Sequence, residues 1–297
     1  MILGRVRDYI HLTKPRITWL ILMSTGIGYF FGLPATGGWA AFLWDAGWLR
    51  VFHTMLGTGL LASGTAALNQ WYERDADSKM RRTAHRPLPA GRISPTGALV
   101  WGTALSVAGF ADLWLGANHL AALLGAFTLA SYLCLYTPLK KRTWLSTTVG
   151  AVPGAMPPLI GYAASSGALT AHAWVLAAIL FLWQFPHFYA IAWMYRDDYA
   201  RAGIVMLPVL EPDGRSTARQ MLLYGFALLP VSLLPCVLGM SGLTYLAGAL
   251  GAGLWFLHSG LRVALERTVL RARGVLIVSV LYLPLLYGLM LVDRPGL

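Results

Sequence analysis

Three oxygen-bearing side chains, Asn69, Glu73 and Asp77, recur every fourth residue in a chain otherwise short of charge. At about 100° per residue, positions i, i+4 and i+8 drift by only roughly 40° per step. The three therefore line one helix face over about 12 Å. One amide and two carboxylates in a stripe form a hard-oxygen ligand set. Mg²⁺ accepts such ligands, keeps several waters and commonly takes its remaining oxygens from a substrate phosphate. Soft-metal chemistry would need paired Cys or His, and this stretch has no such pair. Cations follow at once: Lys79, Arg81, Arg82, Arg86 and Arg92. Arg82 and Arg86 stand one helical turn apart and could both grip an anion bidentately. Pro87 and Pro89 end any helix there. Acids followed by paired arginines suggest a diphosphate held between Mg²⁺ and guanidinium. A solvated helix end beside a basic cytoplasmic loop accounts for the same residues.

A second acidic pair, Asp197 and Asp198, also begins just past an apolar segment. YERD (72–75) and YRDD (195–198) hint at an internal duplication that would face two carboxylate clusters across a bundle. Lys140, Lys141 and Arg142 could add positive charge, although a topology signal explains them more simply. In FLWQFPHFYAIAWMYRDDYARAGIVMLP (181–208), Pro186 is expected to break a membrane helix beside Gln184 and His187. A His at membrane depth is a functional candidate by default. It can accept a proton, face a haem or bond a neighbouring helix. His53 reads as the last of these, and Asp112 as structural.

The elements that position these residues follow from composition. Of 297 residues, 57% are hydrophobic and 12% charged, against roughly 25% charged in soluble domains. Mean hydropathy is +0.60. These values describe an all-α polytopic membrane protein. The net charge of +11 does not indicate nucleic acid, because basic cytoplasmic loops produce the same balance. Nine stretches are apolar enough to span: 17–34, 51–71, 96–116, 119–137, 145–164, 171–194, 221–240, 243–261 and 274–292. Only Arg50 and Arg294 of the 23 Lys and Arg fall on the side of the charge-poor loops. That asymmetry predicts a cytoplasmic N-terminus and an outside C-terminus. Loops 72–95 and 195–220 are the longest and hold the clustered acids, which the positive-inside rule does not explain. Cys134 and Cys236, without CxxC spacing, read as small core residues. The N-terminal stretch carries neither a cleavage pattern nor an Arg- and Ser-rich transit sequence, which favours a bacterial inner-membrane protein.

The stripe Asn69, Glu73 and Asp77 resembles the first aspartate-rich motif of the UbiA superfamily of intramembrane prenyltransferases, and Asp197 with Asp198 resembles the second. LTKPRI (12–17), NQWYERDADSKMRRTAHRPLP (69–89), YTPLKKRTWLST (136–147), GAVPGAMPPLIGY (150–162), WQFPHF (183–188) and DYARAGIVMLP (198–208) are together similar to its haem branch. The resemblance covers most of the first seven helices. It implies a single nine-helix domain, 1–297, whose two long loops lid a cavity on the cytoplasmic side. It implies transfer of a farnesyl group from farnesyl diphosphate to a vinyl group of haem b, the product gaining a hydroxyl from water. Residue by residue, Asn69, Glu73 and Asp77 would bind Mg²⁺ with the diphosphate. Asp197 and Asp198 would hold a second ion or orient the first set. Arg82 and Arg86, helped by Lys141 and Arg142, would bind the diphosphate. His187 is the candidate for the proton of the water step. The middle ligand is Asp in most of the superfamily and Glu73 here, which leaves open whether Glu73, Asp75 or both touch metal. Membrane lipid is a further expected partner, and pathway logic adds haem A synthase or oxidase assembly factors. Three rivals stand beside this reading: prenylation of an aromatic acceptor, a transporter and a structural membrane subunit.

Overall fold

The computed structural model describes residues 2–34 and 47–295, which are helical with short turns. In chain order the elements are α1 (Ile2–Leu12), α2 (Pro15–Gly32), α3 (Gly47–Asp77), α4 (Pro95–Gly116) and α5 (His119–Leu139). After them come α6 (Ser146–Gly154), α7 (Met156–Ser166), α8 (Ala171–Met194), α9 (Arg196–Arg201) and α10 (Leu207–Leu210). The chain closes with α11 (Arg215–Val237), α12 (Leu243–Leu265) and α13 (Val269–Val292).

Among the described residues, six helices are long and apolar enough to cross a membrane: α3, α4, α5, α8, α11 and α13. The other three apolar stretches fall on α2, on α12 and on the pair α6–α7. The stretch 145–164 is not one helix. It breaks at Ala155, where Pro157 lies two residues on and a further proline, Pro158, follows. Proline restricts the residue before it and withholds its own N–H. Pro186 does the reverse of what was expected, because α8 runs unbroken through it from Ala171 to Met194. Losing one backbone bond in an apolar setting costs less than ending the helix and losing several.

α3 matters most for the site. Its 31 residues extend about 46 Å, against a hydrocarbon core of about 30 Å. Its last turns therefore project past the apolar layer and carry Glu73 and Asp77 to the interface. α3 packs along α4 through small residues, since apolar side chains gain little by leaving lipid and close backbone contact supplies the attraction. A Cβ built on Gly109 of α4 would lie 2.5 Å from the Leu61 amide nitrogen and 2.6 Å from the Gly57 carbonyl oxygen. Both obstacles are backbone and cannot rotate away. Gly109→Val should therefore cost more than the roughly 1–3 kcal/mol of ordinary overpacking. The check is a fall in thermal midpoint in detergent, with α3 displaced and activity lost alongside it.

α8 is the most enclosed of the six spans, with 61% of its apolar window buried. It packs against α11 and α13 on one side and against α6, α7 and α2 on the other, so it joins the two halves of the bundle. α8 carries the fully buried Phe185 and Tyr189, and neighbouring α13 carries the buried Tyr282 and Tyr287. Outward-facing Trp19, Val100, Leu115, Phe226 and Leu243 present an apolar surface suited to lipid. Cys134 belongs to that outer surface and not to the core, because in a lipid-facing helix apolar residues are as stable outside as inside. Cys236 is partly buried, and both cysteines are free.

Candidate active site

The stripe on α3 forms as its spacing predicts, and it is held by charge from two other elements. The Asn69 amide Nδ2 donates to Glu73 Oε2 at 2.9 Å. Thr137 Oγ1 on α5 lies 3.1 Å from Asn69 Oδ1 and 2.8 Å from the Tyr132 carbonyl, with one hydroxyl proton shared between the two acceptors. Lys140 Nζ donates to the other Glu73 oxygen at 2.8 Å. Asp77, only 2% exposed, accepts from Arg86 Nη1 at 2.7 Å, while its backbone carbonyl accepts from Thr83 Oγ1 at 2.8 Å. Two carboxylates and two cations thus sit along one face of α3. An ion pair of this kind is costly to bury unless its remaining groups are satisfied, and here the hydroxyl and amide partners supply that.

Lys140 is the cation the structure selects from the basic loop. It leans over Tyr136 at 4.4 Å and Tyr132 at 5.9 Å. Burial opposes its charge, but Tyr136 and Glu73 beside it hold its pKa above the ordinary lysine value. Lys141 and Arg142 are exposed and are not brought to the stripe. A π turn over Ser131–Tyr136 precedes the loop and changes the helical register on which the choice among adjacent cations depends. Arg82 and Arg86 also part company. Residues 78–92 form successive turns, not a helix. Arg86 turns inward to Asp77, and exposed Arg82 lies over the Tyr195 ring at 5.1 Å.

The second acidic pair divides in the same way. Asp198 accepts from the backbone N–H of Arg81 at 3.3 Å and of Arg82 at 3.4 Å, and pairs with Arg201. It therefore ties the 195–220 connection to the 72–95 loop. Asp197 points outward, 86% exposed, with Arg196 at 3.9 Å, and is not brought to the stripe. Glu73 and Asp75 differ in exposure in the same way. Glu73 is 13% exposed and inside the cluster, whereas Asp75 is 80% exposed beside Arg74.

One cation escaped the sequence reading. Lys14 occupies the turn between α1 and α2 with φ 48°, in the left-handed region, which non-glycine residues enter rarely and often at functional sites. Gln70 on α3 holds that turn by donating from Nε2 to the Leu12 carbonyl at 2.7 Å. Burial first, and then the Arg86 cation, push Lys14 down to about 8. Since the unfolded value is about 10.4, the folded site disfavours the ammonium. That cost is fully present below about pH 8 and fades as pH rises from 8 towards 10.4. Anion binding runs the opposite way, because the charge it would meet is lost above pH 8. The Kd for inorganic diphosphate should rise several-fold between pH 7 and 9 in the wild type. In Lys14→Arg, whose side chain stays charged, it should follow only the ligand's own ionisation. Matching profiles would remove Lys14 from the site.

His187 belongs to a different group. Its ring stacks on Trp183 at 4.7 Å, and its Nδ1 lies 2.8 Å from Ser279 Oγ on α13. Seven residues from the end of α8, it sits about 10 Å below that end, and Asn69 lies about 12 Å below the end of α3. His53 bonds Asp112 between α3 and α4 at 2.8 Å, as an interhelical partner. A surface cavity of about 420 Å³ lined by Tyr162, His172 and Arg294 lies at the opposite end of α2 from Lys14 and takes no part in the stripe.

Among the described residues no three of His, Cys, Asp and Glu gather as a metal group. The stripe does offer Asn69, Glu73 and Asp77 oxygens alone, and that donor chemistry fits Mg²⁺ sharing its coordination with phosphate and water. Part-buried Arg86 and Lys140 stand beside the same oxygens at the end of α3.

The profile of the UbiA prenyltransferase family matches residues 21–280. Protoheme IX farnesyltransferase of Solibacter usitatus is 72% identical over 292 residues, covering 98% of this chain and 100% of the relative. The protein of that name from Koribacter versatilis is 46% identical, covering 97% and 94%. A digeranylgeranylglyceryl phosphate synthase structure superposes with TM-score 0.79 at 15% identity, covering 99% of this chain and 100% of that one. A UbiA homologue from Archaeoglobus fulgidus bound to GPP and Mg²⁺ gives TM-score 0.65 at 14% identity, covering 95% and 99%.

Proposed function

The chain belongs to the UbiA prenyltransferase family, and from that premise we infer that it joins the farnesyl group of farnesyl diphosphate to a vinyl group of haem b. The products are haem O and diphosphate. The observation that carries the site assignment is the α3 stripe held against Lys140 and Arg86. Ionising an allylic diphosphate concentrates charge on the leaving group, and fixed cations aimed at that charge lower the barrier. Arg86 and Lys140 supply it along the stripe, Lys14 stands beside them, and exposed Arg82 would reach the diphosphate from the loop. Asn69, Glu73 and Asp77 would hold Mg²⁺, which when bound adds further positive charge against the diphosphate oxygens. Asp198 orients this set by tying the two long connections together over it. The apolar bundle keeps water from the allylic cation until the carbon–carbon bond has formed.

Water then supplies the hydroxyl, and its proton needs an acceptor. We assign that role to His187, about 10 Å below the end of the helix that joins the two halves. Normal haem O formation by His187→Ala would exclude it.

The wider arrangement follows the charge pattern. Nine crossings place the N-terminus and the loops 72–95 and 195–220 on the cytoplasmic side of a bacterial inner membrane, with residues 1–297 forming one domain. Haem A synthase or oxidase assembly factors are the proteins that would take the product. The competing acceptor is an aromatic acid. Labelled farnesyl diphosphate offered with either acceptor to the purified protein should label haem alone, and a labelled aromatic product would replace this reading. Mg²⁺-dependent release of diphosphate by the purified protein would exclude a transporter.

A further inference from the structure

Ser279 lies on α13, in a part of the chain where the sequence offers no functional signature. It is fully buried, and three contacts meet on it. Its Oγ donates to the Leu276 carbonyl at 2.7 Å. Its own carbonyl accepts from Trp183 Nε1 at 2.7 Å. Its Oγ also lies 2.8 Å from His187 Nδ1.

A hydroxyl carries a single proton. With that proton given to Leu276, Ser279 Oγ can only accept from the imidazole, so His187 Nδ1 must carry hydrogen. In the neutral ring the other nitrogen, Nε2, then has a free lone pair. The ring plane is fixed as well. Trp183 stacks on the imidazole at an interplanar angle of 23°, and Trp183 is itself anchored to the Ser279 carbonyl. One residue on the last helix therefore sets both the orientation and the tautomer of His187.

We propose that Ser279 is a positioning residue that holds His187 as the Nδ1–H tautomer and reserves Nε2 for the proton of the water step. The proposal rests on the base role assigned to His187 above. The vinyl electron pair forms the new bond from the terminal vinyl carbon to the farnesyl carbon, whose bond to diphosphate has broken. The inner vinyl carbon becomes electron-deficient and bonds the oxygen of water. One water proton passes to His187 Nε2 and from there to solvent, and the other remains on the product hydroxyl.

The test uses the full-length protein in nanodiscs with ¹⁵N-labelled histidine, where protonated and bare ring nitrogens resonate far apart. His187→Gln identifies the signals. The wild type should show Nδ1 protonated and Nε2 bare. Ser279→Ala should show a tautomer mixture, with kcat for haem O formation down roughly tenfold and KM for farnesyl diphosphate unchanged. Ser279→Thr, which keeps the hydroxyl, should restore both readings. A wild-type ring protonated on Nε2, or a Ser279→Ala ring with an unaltered tautomer, would overturn the proposal. Full activity in His187→Ala beside the expected spectrum would instead overturn the base role, so the two failures are told apart.

Discussion

Asp77→Asn should lower haem O formation by about 10²–10³-fold, the loss typical when one preorganised electrostatic partner is removed from a reacting site. The substitution keeps the volume and one oxygen of a side chain that is 2% exposed. What it removes is the negative charge that meets Arg86 at 2.7 Å and the anionic oxygen available to a divalent ion. The part-buried guanidinium is left with a weaker partner. Thermal stability without substrate should therefore fall by about 1.5–3 kcal/mol, the usual worth of a hydrogen bond to a charged group. Farnesyl diphosphate should recover part of that loss by bringing its own charge to Arg86. Turnover and melting with and without the donor measure both effects. Wild-type turnover in Asp77→Asn would mean that the stripe is only the polar end of a long helix.

The second large effect is expected at Asp198. Its carboxylate ties the two long connections through the Arg81 and Arg82 amides, and it pairs with Arg201 within its own connection. At about 1.5 kcal/mol for each of two long charged hydrogen bonds, Asp198→Ala should ease opening of residues 78–92 by roughly 3 kcal/mol. That corresponds to about a 10²-fold larger open population, which limited trypsin cleavage at Lys79, Arg81 and Arg82 reads directly. Haem O formation should fall by a similar factor, since Arg86 and Asp77 lose their fixed relation. Asp197→Ala, which removes an 86% exposed side chain, should leave the cleavage rate unchanged. Equal cleavage in wild type and Asp198→Ala would show that other contacts hold the loop.

The contrast between Asp197 and Asp198 illustrates how much was legible in the sequence. The stripe of Asn69, Glu73 and Asp77 was readable because helical periodicity is local and α3 sets their common face by itself. Which member of an adjacent pair faces inward is not local. It depends on how the helix before the loop ends, and Lys140 reaches Glu73 in place of Lys141 or Arg142 after the π turn at Ser131–Tyr136. A signal was available, since Tyr132, Tyr136 and Lys140 repeat the same i, i+4, i+8 spacing as the acids. Lys14 had no such signal, because its place beside the stripe depends on the Gln70 bond to Leu12 across the fold. Pro186 misled for a physical reason. A proline in an aqueous loop ends a helix, whereas the enclosed α8 keeps its remaining backbone bonds and continues. Ser279 is one hydroxyl in an apolar helix, and only the folded contacts with Trp183 and His187 distinguish it.

The central claim, that the α3 oxygens and the cations around them activate a farnesyl diphosphate for transfer to haem, is tested most directly by conversion of haem b in vitro. Purified wild type and Glu73→Gln should each be given farnesyl diphosphate, with Mg²⁺ and with the ion chelated. Wild type with Mg²⁺ should form haem O and diphosphate in equal amounts. Chelation or Glu73→Gln should each reduce both by about 10²-fold or more. Equal rates in all four conditions would contradict the account.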